Sequence, residues 1–178
     1  MTDPVGRVEW IRAGQDLLRE QGARGLKIHA LAKKRGATTG SFYHHFESFE
    51  TYCNELADYY STVDPQETYA LVKEWPPQER LRALFALTQQ RDIQPLDHAM
   101  RMWAATNDRA AAAVRKLDHD YLTFLRDLFQ VLGFSKAESQ TRAVLAYSAS
   151  AAIIYPPWEI TDQDAERAVR LLTALEEG

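Results

Sequence analysis

Residues 22–52 read GARGLKIHALAKKRGATTGSFYHHFESFETY, and this stretch decides the fold. It begins with a helical pattern, because Ile28, Leu31 and Ala32 recur at spacings of three and four and so share one helix face. The pattern stops at Gly36, where a glycine can adopt the left-handed backbone conformation that closes a helix. We therefore predict a short first helix that ends in a tight turn.

A second short helix is expected after the turn, over residues 38–45. Thr38 can cap this helix, since its hydroxyl group can accept a hydrogen bond from a backbone N–H of the first turn. Isolated helices need about 12–15 residues to be stable in water, so packing must hold this one. Phe42 and Phe46 are expected to provide that packing. Together the two helices predict a helix-turn-helix that docks on DNA.

The composition of the chain excludes several classes of protein. The chain has 178 residues, of which 46% are apolar, and this is enough for a hydrophobic core. A single cysteine excludes an internal disulfide framework and suits a reducing compartment. Residues 1–19 lack the apolar run of a signal peptide, and no stretch approaches the roughly 18 apolar residues of a membrane span. We therefore expect a cytoplasmic protein with no membrane partner.

The charge is distributed unevenly along the sequence. The formal net charge is −4, which alone would argue against a nucleic-acid partner. Residues 1–52 nevertheless carry eight Lys or Arg against six Asp or Glu, whereas the remainder carries 13 against 19. A positive N-terminal end on an acidic body suits DNA binding through a small surface. Chance asymmetry on a solvated surface would give the same counts.

A series of short patterns follows in order between Trp10 and Leu56. Within this series, Lys27 precedes the first short helix, and Phe49 stands where the helix after Phe46, the fourth of the chain, is expected to start. The patterns are Ala13-Gly14, Leu17-Leu18 with Gly22, Leu31-Ala32, Gly36 through Gly40, and Phe42-Tyr43-His44-His45-Phe46. This series resembles the TetR family of transcriptional regulators. That family often has Thr or Ser at the position of Lys27 and usually has Lys at that of Phe49.

The resemblance implies an all-α protein. It implies an N-terminal three-helix helix-turn-helix domain followed by a C-terminal helical bundle for ligand binding and dimerisation. The sequence beyond residue 65 fits, since its apolar pattern is helical and shows no strand alternation, and about nine helices are expected in all. We place the DNA-binding domain at residues 1–46 and the regulatory, ligand-binding and dimerisation domain at residues 47–178.

The fourth helix is expected to begin at Glu47 or Ser48, whose side-chain oxygen can cap it. It is expected to end before Asp64-Pro65, because proline fits the first turn of a helix and disrupts later turns. A new short helix would then begin at Pro65.

The second helix of the helix-turn-helix offers groups suited to duplex DNA. A helix N-terminus presents free N–H groups to a phosphate, and small residues let the backbone approach the major groove. Lysines nearby are expected to meet the phosphate backbone. Each side chain could instead be an ordinary exposed polar group. The residues predicted to bind DNA are Lys27, Lys33, Lys34, Thr38, Thr39, Gly40, Ser41, Tyr43 and His44.

The last two helices predict a dimer interface, because their small and apolar residues form stripes that would let helices approach closely. A helix-turn-helix also needs a dimer to read two half-sites about 34 Å apart. The alternative is that these stripes only close the core of the monomer. The residues predicted for dimerisation are Ala143, Ala146, Ser150, Ala165, Ala168 and Leu172.

Aromatic and methionine residues of the middle helices predict a cavity for a small apolar or aromatic ligand. Such side chains supply adaptable surface with a few polar tips. At helical spacing they are equally typical of a plain core. The predicted ligand-binding residues are Trp75, Phe85, Met100, Met102, Trp103, Tyr121, Phe124 and Tyr147.

No motif predicts catalysis. The sequence has no Gly-rich phosphate loop, no zinc-type spacing of Cys and His, and no nucleophile elbow, so we expect no enzyme, cofactor or metal site. We expect a ligand-responsive regulator, a repressor that binds a palindromic operator as a homodimer and is released by a small molecule. The alternative is a helical protein-interaction module that no longer reads DNA, which Phe49 in place of Lys would favour.

Overall fold

The computed structural model describes residues 4–90, 93–152 and 161–174. In these residues the chain forms nine α-helices and no strand, which confirms the all-α class and the expected number of helices. None of the described helices is both long enough and apolar enough to cross a membrane. Two short 3-10 turns, Ala23–Gly25 and Pro77–Glu79, precede α2 and α5. The helices are α1 (Pro4–Gln21), α2 (Ile28–Arg35), α3 (Thr39–His45), α4 (Phe49–Lys73), α5 (Arg80–Gln90), α6 (Ile93–Ala104), α7 (Asp108–Val131), α8 (Lys136–Ala152) and α9 (Asp162–Thr173).

The local signals around the turn act as expected. Gly36 has φ 63° and ψ 31°, the left-handed conformation that ends α2. The Thr38 hydroxyl oxygen accepts a hydrogen bond from the Ser41 amide at 3.1 Å and so caps α3. The Ser48 hydroxyl oxygen accepts one from the Thr51 amide at 3.0 Å and caps α4 in the same way. The helix-turn-helix is therefore closed by local hydrogen bonds at each of its turns.

The described chain packs into two compact units. Unit 1 comprises residues 4–65 and 93–117, and unit 2 comprises residues 66–90, 118–152 and 161–174. Helices α4 and α7 each contribute residues to both units. The boundary predicted after residue 46 separates two functions, whereas the two units described here are defined by packing. The functional boundary remains a prediction.

Unit 1 has a core drawn from six helices. Helix α1 lies against both α2 and α6, so the three N-terminal helices share their core with residues far along the chain. A Cβ atom at Gly14 would lie 1.9 Å from the hydroxyl oxygen of Tyr52, which shows how closely α1 approaches α4. The largest fully buried side chains of this core are Trp10, Leu18, Leu31, Phe42, Phe46, Tyr52, Leu56 and Met100.

Helix α4 runs through Pro65, so the prediction of a helix break there is wrong. A proline inside a helix removes one backbone hydrogen bond and costs about 3 kcal/mol, and packing must offset this loss. Before the proline, Gln15 Nε2 donates to the Asp64 carboxylate at 2.6 Å. After it, Thr68 and Val72 are buried. Contacts on both sides of Pro65 thus hold the helix where local propensity would end it.

Unit 2 has a separate core, formed by α5, α7, α8 and α9 with the end of α4. Arg142 on α8 places its guanidinium carbon 4.0 Å from the centroid of the Phe134 ring and donates to the Leu172 carbonyl at 2.8 Å. These contacts tie α8 to α9 and to the turn after α7. The fully buried apolar side chains of this core include Val72, Leu81, Leu84, Leu125, Phe129, Ala143 and Ala146.

Candidate nucleic-acid interface

Helix α3 has one exposed face and one buried face. Tyr43 is 56% exposed, and Thr39, Gly40 and His44 are exposed beside it. The opposite face carries Phe42, which is fully buried. Five of the nine residues predicted to bind DNA lie on or next to this exposed face, counting the cap Thr38, and Ser41 is half-buried at its edge. The helix therefore presents a polar surface of small residues with one long aromatic side chain.

An aromatic cluster holds the buried face of α3. The Phe42 ring lies 5.5 Å from Trp10 of α1 and 5.3 Å from Tyr52 of α4, centroid to centroid, and both contacts are edge-to-face. Phe46 lies 5.0 Å from Tyr52 in the same geometry. Such pairs contribute about 0.5–1.5 kcal/mol each beyond their burial. The predicted role of Phe42 and Phe46 in fastening α3 to its neighbours is confirmed by these contacts.

Tyr52 lies at the centre of this cluster. Its hydroxyl group donates to the Trp10 carbonyl at 3.0 Å, and burial raises the pKa of the phenol well above its usual value. Phe49 stacks on Tyr52 with centroids 6.0 Å apart and an interplanar angle of 23°, and it is half-buried. Phe49 thus extends the packing of α4.

Arg7 joins three parts of unit 1, and no feature of the sequence predicts this role. Its Nε donates to the Glu55 carboxylate at 2.8 Å and its Nη2 donates to the second oxygen of the same group. Its Nη1 donates to the carbonyl of His45, the last residue of α3. Its guanidinium carbon lies 4.6 Å from the centroid of the Phe46 ring. One side chain of α1 therefore contacts both α4 and the C-terminal end of α3.

The lysines at the two ends of α2, Lys27 before it and Lys33 and Lys34 in its last turn, have different environments. Lys27 and Lys33 are exposed, as a phosphate contact requires. Lys34 instead donates to the Glu20 carboxylate at 2.7 Å and lies 3.9 Å from the Asp16 carboxylate. The hydrogen bond to Glu20 raises the pKa of the Lys34 ammonium group. Lys34 therefore has anionic partners on α1, and its contact with DNA remains a prediction.

The predicted ligand-binding residues fall into different environments. Met100 and Trp103 are buried in the core of unit 1, whereas Trp75 and Met102 are 49% and 62% exposed. Phe85, Tyr121, Phe124 and Tyr147 each pack against the core of unit 2. The structure therefore places four of the eight residues beside one core, and whether they bind a ligand remains a prediction.

Tyr69 also packs beside these aromatic residues of unit 2, and no sequence pattern indicates it. Its ring stacks on Phe124 with centroids 4.2 Å apart and an interplanar angle of 9°. Tyr121 lies 6.1 Å from Tyr147, and burial raises the pKa of Tyr121 to about 12. The position of Tyr69 could be predicted only with the knowledge that α4 continues beyond Pro65.

Two of the six residues predicted for dimerisation require a correction, and the other four remain a prediction. Ala143 and Ala146 are fully buried in the core of unit 2, so a partner chain could not contact their side chains. The small residues let α8 approach the chain's own helices, as the alternative interpretation had it. Large apolar side chains are exposed elsewhere on the same two helices, at Val144, Leu145 and Leu171. Ser150, Ala165, Ala168 and Leu172 are half-buried.

An open groove of about 350 Å³ lies in unit 1 between α4 and α7. Arg109 and Asp58 form an ion pair at its edge, and the hydroxyl groups of Ser61 and Thr62 both donate to the Asp58 carbonyl. The groove thus carries charged and hydroxyl side chains beside alanines, and it shares no residue with the apolar cavity predicted from the sequence. Its lining is completed by Ala112, Ala113 and Lys116.

Comparison with known proteins supports the reading of the N-terminal helices. Residues 11–50 match the family model of bacterial regulatory proteins of the tetR family, which confirms the resemblance in the segment that contains the helix-turn-helix. No curated protein matches the chain in sequence.

Several solved structures share the fold over nearly the whole chain. A transcriptional regulator from Rhodococcus sp. Rha1 is 21% identical, with a TM-score of 0.70 over 94% of this chain and 93% of that one. AibR in complex with isovaleryl coenzyme A and operator DNA is 20% identical, with a TM-score of 0.65 over 94% and 97%. GusR of Salmonella enterica is 18% identical, with a TM-score of 0.67 over 97% and 94%. At these identities the likeness shows the fold.

Proposed function

We propose that this chain, whose N-terminal helices are of the TetR type, is a transcriptional regulator that reads duplex DNA with α3. The observation that carries the proposal is the division of α3 into two faces. Phe42 anchors one face in an aromatic core, while Thr39, Gly40, Tyr43 and His44 are exposed on the other. A short helix whose apolar face is packed against the protein and whose polar face is exposed to solvent is suited to insertion into the major groove.

Selection of duplexes from a random-sequence library by the full-length protein tests the proposal. We expect recovery of a defined sequence, bound with an affinity that falls steeply as salt rises, because phosphate contacts release counterions. Tyr43→Ala should weaken binding of the selected duplex about 10-fold or more without changing the melting temperature of the protein. Recovery of no preferred sequence at low salt would exclude this function.

We further propose that the regulator binds a palindromic operator as a homodimer. Exposed Leu145 and Leu171 support a partner on α8 and α9, since large apolar side chains are otherwise usually removed from water. Two copies of α3 would then read half-sites about one helical turn, or 34 Å, apart. The selected sequences should accordingly contain an inverted repeat. Selection of a single half-site by a monomer would contradict this part of the proposal.

The third part of the proposal is that the protein is a repressor and that a small molecule releases it from DNA. AibR, which has the same fold, is known in complex with both isovaleryl coenzyme A and operator DNA. A ligand bound more tightly by the state that is not on DNA would change the spacing of the two reading helices through α4. Small molecules that co-purify with the protein can be identified by mass spectrometry. Adding them back should lower its affinity for the selected duplex.

A helical protein-interaction module that no longer reads DNA is the second candidate function. The packing of Phe49 on Tyr52 favours this second candidate, because a side chain that packs against α4 cannot contact a phosphate at the start of that helix. The two functions predict different results in the same selection. A module of this kind would enrich no sequence and would bind all duplexes weakly and alike.

A further inference from the structure

We propose that Arg7 is a positioning residue that sets the angle at which α3 presents its exposed face to DNA. This inference rests on the proposed function, since it assigns a role in DNA reading to a residue outside the reading helix. Arg7 lies on α1, 32 positions before the first residue of α3, and its guanidinium group reaches the far end of that helix.

The C-terminal end of α3 needs a partner from elsewhere. The last carbonyl groups of any helix have no intrahelical donor, and in α3 the last hydrogen bond of the helix runs from the Phe46 amide to the Phe42 carbonyl, which leaves the carbonyls of Tyr43, His44 and His45. Arg7 donates to one of them, that of His45, and places a positive charge at the negative end of the helix dipole. Thr38 caps the other end of α3 from within the local sequence. The end near Tyr43 and His44 therefore depends on α1.

The shape of the arginine side chain explains how it can hold this end. Its planar fork binds both oxygens of Glu55 on α4 and leaves a third donor for the His45 carbonyl. The guanidinium group also lies against the ring of Phe46, which follows α3 directly. Lysine carries the same charge but cannot donate along three fixed directions. The contact thus fixes the end of α3 relative to both α1 and α4.

Loss of Arg7 should loosen α3 without unfolding it. The buried aromatic contacts of Phe42 with Trp10 and Tyr52 hold the middle of the helix and do not involve Arg7. Tyr43 and His44 lie in the last turn, so their reach toward base edges depends on the end that Arg7 fixes. Phosphate contacts from α2 do not depend on it. Sequence-specific affinity should therefore fall while non-specific affinity stays nearly constant.

The experiment compares two duplexes of equal length, one selected from a random library by the full-length wild-type protein and one with that sequence scrambled. Arg7→Gln removes the fork, and Arg12→Gln on the exposed side of the same helix is the matched control with the same loss of charge. We expect Arg7→Gln to bind the selected duplex about 10-fold more weakly and the scrambled duplex within about twofold of wild type. Arg12→Gln should leave the ratio of the two affinities unchanged.

Two further variants keep the test decisive. Glu55→Gln removes the charged partner of Arg7 and should lower the same ratio, and Arg7→Lys should lower it less than Arg7→Gln. Equal loss of affinity for both duplexes, or an unchanged ratio, would overturn the proposal. So would unfolding of all three variants at the assay temperature, because Arg7 would then serve the fold. If the wild-type protein selects no duplex, the proposed function itself fails, which is a different result from an unchanged ratio.

Discussion

Gly14 and Gly40 are both helical glycines, but they have opposite surroundings. A Cβ atom at Gly14 would meet the hydroxyl oxygen of Tyr52 at 1.9 Å, whereas at Gly40 the nearest atom is the Thr38 hydroxyl oxygen at 3.7 Å. Tyr52 cannot move away easily, because it is fully buried and its hydroxyl group is bonded to α1. The two sites therefore form a natural pair for substitution.

Gly14→Ala should destabilise the protein by about 1–2 kcal/mol, since overpacking outweighs the better helix propensity of alanine. Urea unfolding measures this loss. In the Gly14→Ala background, Tyr52→Phe should recover part of the stability, although alone it removes a buried hydrogen bond. Additive effects of the two substitutions would show that the close approach does not decide the stability.

Gly40→Ala should act in the reverse sense. The added methyl group has room and favours the helix, so stability should rise by about 0.5–1 kcal/mol in the same unfolding assay. The methyl group would stand on the exposed face of α3, so affinity for the selected duplex should fall. A variant with unchanged DNA affinity would place Gly40 outside the interface.

Cys53 should react slowly with alkylating reagents. Burial, and then the charge of Glu50, raises the pKa of its thiol to about 11, so at pH 8 its thiolate fraction is about 100-fold below that of an ordinary cysteine. Iodoacetamide labelling followed by mass spectrometry gives the rate, with the urea-unfolded protein as reference. Because the folded pKa exceeds the unfolded value of 9.0, this thiol also favours folding below pH 9 and ceases to do so as the pH rises through 11. Equal labelling rates in the folded and unfolded states would contradict the assignment.

Single residues were predictable where their signal is local. Gly36 and Thr38 act through bonds to neighbours a few positions away, and the sequence alone predicts both. Arg7 and Glu55 are 48 positions apart, and nothing in either neighbourhood indicates that they meet. Lys34 shows the same limit, because its partner Glu20 belongs to another helix.

At the scale of one helix, the two lysines in the last turn of α2, Lys33 and Lys34, are expected to have different roles. Lys33→Ala should weaken DNA binding and reduce the slope of log affinity against log salt by about one per bound chain. Lys34→Ala should leave that slope unchanged and slightly lower the melting temperature, because its contacts are with α1. Salt titrations of the two variants test this difference. An equal reduction of the slope in both variants would place Lys34 in the DNA interface.

Pro65 lowers the stability of helix α4, because it has no backbone N–H to donate. Pro65→Ala restores a backbone donor inside the helix and should stabilise the protein by about 1–2 kcal/mol in thermal unfolding. Pro77→Ala is the control, since Pro77 opens a 3-10 turn where no backbone donor is required. A loss of stability in the Pro65 variant would mean that the proline ring itself is needed for packing.

Helices were predictable from sequence to the extent that caps and periodicity define them. The bounds of α2 and the starts of α3 and α4 agree with prediction, because Gly36, Thr38 and Ser48 act locally. The interruption at Pro65 was predicted wrongly, since residues such as Gln15 and Val72 lie too far away in sequence for their support to be seen. Tertiary packing decided that element.

At the scale of the whole molecule, self-association depends on exposed apolar side chains. The double substitution Leu145→Glu and Leu171→Glu should convert a dimer to a monomer in analytical ultracentrifugation, because it would bury charge at the interface. Val131→Glu is the control on α7, where a comparably exposed side chain lies outside α8 and α9. A dimer that persists in the double variant would place the interface elsewhere.

The sequence predicted the all-α architecture but not how its apolar stripes are used. Ala143 and Ala146 form the kind of stripe that serves a dimer, yet they fill the chain's own core. The periodicity of apolar residues indicates that one face of a helix is buried. It does not indicate whether that face is buried by the same chain or by a partner chain. Met100 and Trp103 illustrate the same ambiguity between core and ligand cavity.

The composition of unit 1 has a consequence for synthesis on the ribosome. Its core needs Leu96, Met100 and Trp103 of α6 and Val114 of α7 as well as the N-terminal helices. Domains generally fold as units during translation, the N-terminal one first. Here the N-terminal helices emerge early but cannot complete their core until about residue 117 has left the exit tunnel. A nascent chain arrested before α6 should therefore remain sensitive to protease throughout its N-terminal helices.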